Sequence, residues 1–481
     1  MSQASNLAED EGENSESLTQ TSEEEDEDDD DDESSNKQSD IPVKKRRKVV
    51  SEPKDWTVDV LKQYYDRGII LAQPKYQREY VWENKPTLKS RLIESLLLNI
   101  PIPPLYLGKL DNGKYEVIDG QQRLTTILNF VGKKTTFPLE KLTTLKQLKG
   151  CTFQELDEAD QLLITASSTM RTIVIDIGGD DGDLRYEIFE RLNRGSVALN
   201  EQEIRNCIYR SAFNELLSEL ITKECWRKII GTEEPLPRFK EQEHVLRFLA
   251  LAKGLDSYRS SLKSFMNIFM NSQSNLKKGS EVLEQYKTLF QQTMQNVYDV
   301  FGEESGRLYG PPKTQRRLNE GVWDKDFSIL ALEIQAFALV GHARTDVQAI
   351  KDQIREAYIF YLLTDQYIRT AIENRTSRKQ HVKLRCTGFK AEVNNLLLSA
   401  RDNPRFFSRE FRQRLFDADP NCKLCPSQIH SFDDSTVDHV IPWAKGGKTV
   451  PENGQLAHRF CNAQKNASGS VVNVTQNLAS S

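Results

Sequence analysis

Two sets of chemically capable residues are interleaved between residues 422 and 466. Cys422-x-x-Cys425 is followed by His458-x-x-Cys461. Asp438-His439 lies between those pairs, Asn453 follows it, and Asn462 comes directly after Cys461. Two x-x pairs of thiol and imidazole donors have the ligand types and spacing of a closed tetrahedral zinc site, with no position left for a substrate. Such a site is structural and holds together a segment too short to bury its own core. His430 follows Cys425 closely but has no partner at x-x spacing, so it reads as a loop residue. The second set suits metal-assisted hydrolysis of a phosphodiester. An imidazole takes a proton from water, while a carboxylate and an amide oxygen hold a hard cation against the phosphate. The bland alternative is a zinc knuckle that uses its metal only to pack.

These residues need elements to carry them. Val437 to Ile441 predicts a strand with His439 in its middle. Lys445-Gly446-Gly447-Lys448 predicts a loop, and Leu456 to Asn466 a helix presenting His458, Cys461 and Asn462 on one face. The series Cys422, Cys425, Asp438, His439, Pro442, Gly446, Gly447, Glu452, Asn453, Cys461, Asn462 and Lys465 resembles the HNH endonuclease family in its zinc-stabilised ββα-metal form. His458 stands where that family usually has cysteine, and three thiolates with one imidazole remain an ordinary zinc set. The resemblance implies that His439 is the general base and that Asp438 and Asn462 hold catalytic Mg²⁺ or Mn²⁺. It also implies that Asn453 fixes the loop that orients His439.

A second stretch runs Val117-Ile118-Asp119-Gly120-Gln121-Gln122-Arg123-Leu124-Thr125-Thr126. It predicts a strand ending at Asp119, which caps a helix through Leu124, Ile127, Leu128 and Val131. Gly120 lets a ligand approach the backbone, and free N–H groups with Arg123 make an anion site suited to phosphate. The same polar groups could equally serve only to cap the helix. Tyr76-Gln77-Arg78 and Trp82 lie upstream, and Phe189-x-x-Leu192-Asn193-Arg194-Gly195 downstream. With them, the stretch resembles the N-terminal domain of GmrSD-type restriction endonucleases, related to the ParB and sulfiredoxin fold. The resemblance implies a nucleoside triphosphate site, for GTP or ATP, lined by Asp119, Gly120, Gln121, Gln122, Arg123 and Thr125. Gln77 and Arg78 are further candidates, and triphosphate turnover is implied to be coupled to DNA cleavage. That family usually has Asn-Thr-Gly-Gly where this chain has Asn193-Arg194-Gly195-Ser196.

Charge is divided along the chain. Residues 1–40 hold 17 acidic groups and one lysine, a balance of -16, so the remaining 441 residues carry +10 although the whole is -6. The acidic run Glu23 to Glu33 cannot bury apolar surface and predicts disorder. Lys44-Lys45-Arg46-Arg47-Lys48 resembles a nuclear localisation signal, with a patch on nucleic acid as the alternative. It implies an importin as partner and a nuclear location in a eukaryote; otherwise the expected location is cytoplasmic. No apolar run approaches a membrane span and no secretory signal is expected. Of seven cysteines, three sit in the zinc pattern, and Cys151, Cys207, Cys225 and Cys386 are scattered without framework spacing, which suits a reducing compartment.

Helical spacing is expected over Trp56 to Tyr65, Glu241 to Leu251, Glu281 to Phe301, Phe327 to Val340 and Val347 to Ile372. Six basic residues lie in Arg375 to Lys390 and four arginines in Arg405 to Arg414, interleaved with Phe406, Phe407 and Phe411. They read either as phosphate-backbone contacts or as solvated helix faces. The expected class is α+β. The expected order is a disordered tail with the basic motif (1–50), a triphosphate-binding domain (55–210), a helical region (211–400), an HNH domain (405–467) and a disordered end (468–481). The function these expectations favour is a DNA endonuclease gated by nucleoside triphosphate, with a homodimer compatible with it. The alternatives are a DNA-binding, triphosphate-responsive sensor without nuclease activity and a structural adaptor.

Overall fold

The computed structural model describes residues 49–71, 82–133, 135–177, 182–192, 199–209, 211–259, 261–311, 321–374, 376–399 and 404–468. The tail with Lys44 to Lys48, Gln77 and Arg78, Asn193 to Ser196, Arg375 and the chain after 468 lie outside the described residues.

Five strands form one mixed sheet: β1 (Ser51–Thr57), β2 (Ile70–Leu71), β3 (Leu105–Lys109), β4 (Tyr115–Asp119) and β5 (Thr169–Asp176), in the order β1-β5-β3-β4-β2. β3 and β4 are the antiparallel hairpin that Asp111-Asn112-Gly113 predicts. β3 also pairs parallel with β5, and β2 parallel with β4. The sequence reading missed β1. The helix expected from Trp56 starts at Val58, because residues 51–57 pair antiparallel with β5. β1 contains Pro53 and is largely exposed, which a strand tolerates at a sheet edge.

Alternation along the strands gives the sheet two buried faces. Leu105, Leu107, Val117 and Met170 pack with the helices Val58–Asp66, Pro86–Leu97 and Gln121–Val131. Ile118, Ile175 and Ile177 face the other way, toward Tyr186 and Phe189 of the helix Gly182–Leu192. This second core continues through the helices that follow, as far as Leu396. The sheet and the helical region therefore share one core.

The helices Lys240–Gly254, Glu281–Phe301 and Ile329–Leu339 fall where their apolar spacing predicts. Asn200-Glu201-Gln202-Glu203 has the sequence form of an N-cap with its capping glutamate, and Asn200 and Glu203 do form a capping box. The long helix expected over Val347 to Ile372 is instead three: Arg344–Ala349, Lys351–Thr364 and Gln366–Glu373. Asp365 makes the second break, its carboxylate accepting from the N–H groups of Tyr367 (2.8 Å) and Ile368 (3.0 Å). A two-residue ladder, β6 (Tyr309–Gly310) with β7 (Val322–Trp323), leads toward the C-terminal module. That module comprises the helix Arg409–Ala418, the hairpin β8 (Ser435–His439) and β9 (Gly454–His458), and the helix Arg459–Ser468. Among the described residues no helix is long and apolar enough to cross a membrane.

Arg385, one of the basic residues with a phosphate-contact reading, belongs to the interior. It is fully buried and donates to Glu333 at 2.8 Å, and Arg247 donates to the same carboxylate at 2.5 Å. Burial alone would raise the Glu333 carboxyl, but the two guanidiniums hold it below the usual carboxylate value. Glu333→Ala would leave the buried Arg385 and the half-buried Arg247 without their anion. The expected loss is about 3–5 kcal/mol, read as a lower urea midpoint for the helical body.

Candidate active site and metal centre

The four predicted zinc donors converge. One donor atom each from Cys422, Cys425, His458 and Cys461 lies within 4.8 Å of the other three, and all four residues are buried. His458 Nδ1 stands 3.4 Å from Cys425 Sγ and 3.8 Å from Cys461 Sγ. A tetrahedron with Zn–S bonds of about 2.3 Å sets its donors roughly 3.7 Å apart. The arrangement thus fits a metal site of zinc type. The backbone N–H groups of Leu424 and His458 both donate to Cys422 Sγ at 3.4 Å. A hydrogen bond from Cys461, followed by those from His458, holds the Cys422 thiol well below its ordinary value despite burial. Exposed His430 takes no part in the cluster.

Two local expectations need correction. His458 is the last residue of β9, and the helix begins at Arg459, so the His458/Cys461 pair straddles a strand–helix junction. The cause is strand pairing: Ser435 of β8 is opposite His458. His439 likewise ends β8 rather than occupying its middle, and it is opposite Gly454.

Residues 440–453 then form the loop that closes the hairpin. Asn453 organises it. Its Oδ1 accepts from Ile441 N at 2.8 Å, and its Nδ2 donates to Ile441 O at 3.1 Å and Lys448 O at 2.9 Å. Gly446 turns the loop at φ +86°, and a Cβ on Gly447 would lie 1.9 Å from Ile441 O. Thr449 Oγ1 lies 3.0 Å from His439 Nε2, and the Phe407 ring packs on the imidazole at 4.6 Å between centroids. Burial is the main cause that lowers the His439 pKa from its ordinary 6.5; Asp438 opposes the shift, and Lys465 and Arg405 add to it. Asp438 is buried, and Lys465 Nζ (2.8 Å) and Gln455 Nε2 (2.7 Å) both donate to its Oδ2. Lys465 also donates to His439 O at 2.8 Å. Asn462 is half-buried, and its Oδ1 accepts from Asn466 at 2.8 Å.

The module is fastened to the helical body by buried charge. Glu356, on the helix Lys351–Thr364, accepts from Arg412 at 2.6 Å and from both terminal nitrogens of Arg459. Arg459 lies between two zinc-type ligands in sequence and also donates to Asp433 O at 2.5 Å. Tyr309 OH and Gly321 N each donate to Asp434 Oδ1 at 2.9 Å. Arg412 is therefore another arginine whose phosphate-contact reading gives way to a structural role. Arg405 pairs with Glu392 at 2.5 Å and lies over Phe360 and Phe406. Sequence reasoning gave no role to Thr449, Gln455 or Glu356, and named Phe407 only among the aromatics interleaved with the arginines of 405–414. No spacing rule links any of them to the module's motif residues.

In the N-terminal domain, Asp119 ends β4 as expected but does not cap the helix. Gly120 is the N-cap at φ +95°, where a Cβ would lie 2.4 Å from Leu105 Cδ2. Asp119 instead accepts from Arg123 Nη2 at 2.7 Å, and Arg123 Nη1 donates to the carbonyls of Pro103 and Pro104. This guanidinium is committed within the fold rather than held open for an anion. Gln121 Nε2 donates to Thr125 Oγ1 at 3.2 Å, and Gln122 Oε1 accepts from Trp82 N at 3.3 Å. The first-turn N–H groups of this helix have no intrahelical acceptor by helix geometry.

Residues 58–210 match the family described as GmrSD restriction endonuclease, N-terminal domain, and residues 422–468 match the HNH endonuclease family. No curated protein matches the chain. Together the two family matches support a nuclease of the restriction-endonuclease type, and an HNH nuclease implies DNA as substrate. If the four-donor cluster holds zinc, the purified chain carries about one zinc. Chelation, or Cys461→Ser, should then remove it and expose residues 404–468 to protease while the helical body stays resistant. Metal analysis with limited proteolysis reads both outcomes.

Proposed function

We propose that this protein is a metal-dependent DNA endonuclease whose cleavage is controlled by nucleoside triphosphate at the N-terminal domain. The observation that carries the reading is His439. It lies within the HNH match at the end of a strand, with its ring held by Thr449 and Phe407 and its neighbour Asp438 anchored by Lys465.

Lowered by burial, the imidazole is neutral at pH 7 and able to accept a proton. Asp438 and Asn462 offer the hard oxygen donors that suit Mg²⁺ or Mn²⁺. Lys465 and Gln455 both donate to Asp438 Oδ2, so Oδ1 would be the oxygen that meets the cation. When bound, that cation supplies charge stabilisation at the phosphoryl and leaving oxygens. His439 takes a proton from water as the water oxygen bonds to phosphorus. The P–O bond to the leaving sugar oxygen breaks, and that oxygen is protonated from solvent. Asn453 keeps the loop beside His439 in shape.

Control by triphosphate has two supports. The glycine-led helix Gln121–Val131 presents first-turn N–H groups of the kind that bind phosphate. Ile118, one residue before Asp119, belongs to the same core as Ile354, Ala357 and Tyr358, which flank Glu356 on the helix that holds the nuclease module. The nucleotide would therefore act at Asp119, Gly120, Gln121 and Gln122, with Thr125 and Arg123 supporting the turn.

The test is cleavage of supercoiled plasmid with Mg²⁺ or Mn²⁺, with and without GTP or ATP, on unmodified and base-modified DNA. We expect nicking or linearisation that requires the divalent ion, depends on nucleotide and is lost in His439→Ala by a factor of about 10²–10⁴. The acid limb of the rate profile should lie below the ordinary histidine value of 6.5, because the imidazole must be neutral. DNA binding without cleavage on any substrate would instead establish a sensor.

A further inference from the structure

The position opposite His439 in the β8–β9 ladder is Gly454. A Cβ there would lie 2.7 Å from Phe411 Cε1 and 3.0 Å from Phe407 Cε1. The missing side chain thus opens a slot beside His439, and two phenylalanines from outside residues 422–468 fill it. Phe407 stacks on Phe411 at 5.3 Å and packs on the imidazole at 4.6 Å. The far side of the ring system is also fixed. Asn453 Nδ2 holds the carbonyl of Lys448, and Val450 N donates back to that same carbonyl. Thr449 is pinned between them, with Oγ1 3.0 Å from His439 Nε2.

We infer that Phe407 and Thr449 are positioning residues for His439: Phe407 sets the plane of the ring, and Thr449 fixes its tautomer so that Nδ1 faces the attacking water. This rests on the nuclease reading above. A hydroxyl can donate or accept. If Thr449 donated to Nε2, the neutral ring would carry its proton on Nδ1, and neither nitrogen would be left to take one from water. A base at this position therefore requires Thr449 to accept from Nε2–H. Asn453 then acts on His439 through Thr449. The loop that the motif residue organises delivers one hydroxyl to one ring nitrogen.

The experiment is steady-state plasmid cleavage by the full chain carrying its zinc, comparing wild type with Thr449→Val, Thr449→Ser, Phe407→Ala, Phe407→Tyr and His439→Ala. Thr449→Val keeps the shape and removes the hydroxyl. It should lower kcat roughly ten- to a hundredfold with KM unchanged, the scale of a misplaced reacting group. Thr449→Ser should restore most of that loss. Phe407→Ala should lower kcat similarly, and Phe407→Tyr, which keeps the ring face, should not. Zinc content and the gel shift of DNA should stay at wild-type values in all of them.

Wild-type rates in both Thr449→Val and Phe407→Ala, alongside a dead His439→Ala, would overturn the inference and leave the nuclease reading intact. A fall in Thr449→Val that serine does not rescue would overturn the tautomer assignment. Wild type and His439→Ala equally inactive would overturn the nuclease reading. In that case the ¹⁵N spectrum of the six histidines decides the clamp. An Nε2–H signal from His439 that is lost in Thr449→Val supports it, and an Nδ1–H signal in wild type refutes it.

Discussion

One carboxylate of the helical body, Glu356, ties three elements of the C-terminal module together. Glu356 is half-buried between Arg412 and Arg459, and desolvation works to raise its pKa while the guanidiniums lower it below the usual carboxylate range. Arg412 reaches the carbonyl of Ser435 at the start of β8, and Arg459 opens the last helix. Helix 409–418, the strand that ends at His439 and the helix that carries Cys461 and Asn462 are thus all referred to one anion on the helical body. Such an arrangement contributes little net stability when complete, because desolvation offsets attraction. Its strength lies in geometry, since a displaced partner strands a buried charge.

The module needs that external anchor because its own core is slight. Its buried apolar cluster consists of Cys422, Cys425, Ile429, Leu456, Ala457 and Cys461, so half of it is zinc-type ligand. A core of that size cannot offset the entropy of ordering the chain. The Glu356 pairs at one end, and a metal bound by the four donors at the other, would supply what apolar burial does not. The N-terminal sheet is in the opposite situation. It buries both faces, and one face merges with the helical body in a continuous core. Packed side chains run from Ile118, beside the Asp119 turn, to the helix that bears Glu356.

The basic character of the body divides along the same lines. Arg385 and Arg412 spend their charge on interior glutamates, one buried and one half-buried, whereas Arg378, Lys379 and Lys383 remain exposed. Only the latter kind is available to a phosphate backbone. A count of lysines and arginines cannot separate the two, because the separating fact is a partner 52 or 56 residues away in sequence.

Chemistry carried by short, fixed spacings was legible in the sequence. The two x-x pairs fixed which four residues would meet, and the glycine pair fixed a tight loop, because both depend on a few bonds of chain. The strand–turn–helix at Asp119–Gly120 and the capping box at Asn200 were legible for the same reason. Element boundaries at paired strands were not. β1 and the end of β9 exist because distant strands bond to them, and local propensity carries no record of that. The commitment of Arg123 to the Pro103 and Pro104 carbonyls, the hold of Glu356 on two arginines and the seat of Phe407 on His439 were decided only by tertiary structure. Each joins segments that are distant along the chain, and only the packed fold brings them within reach.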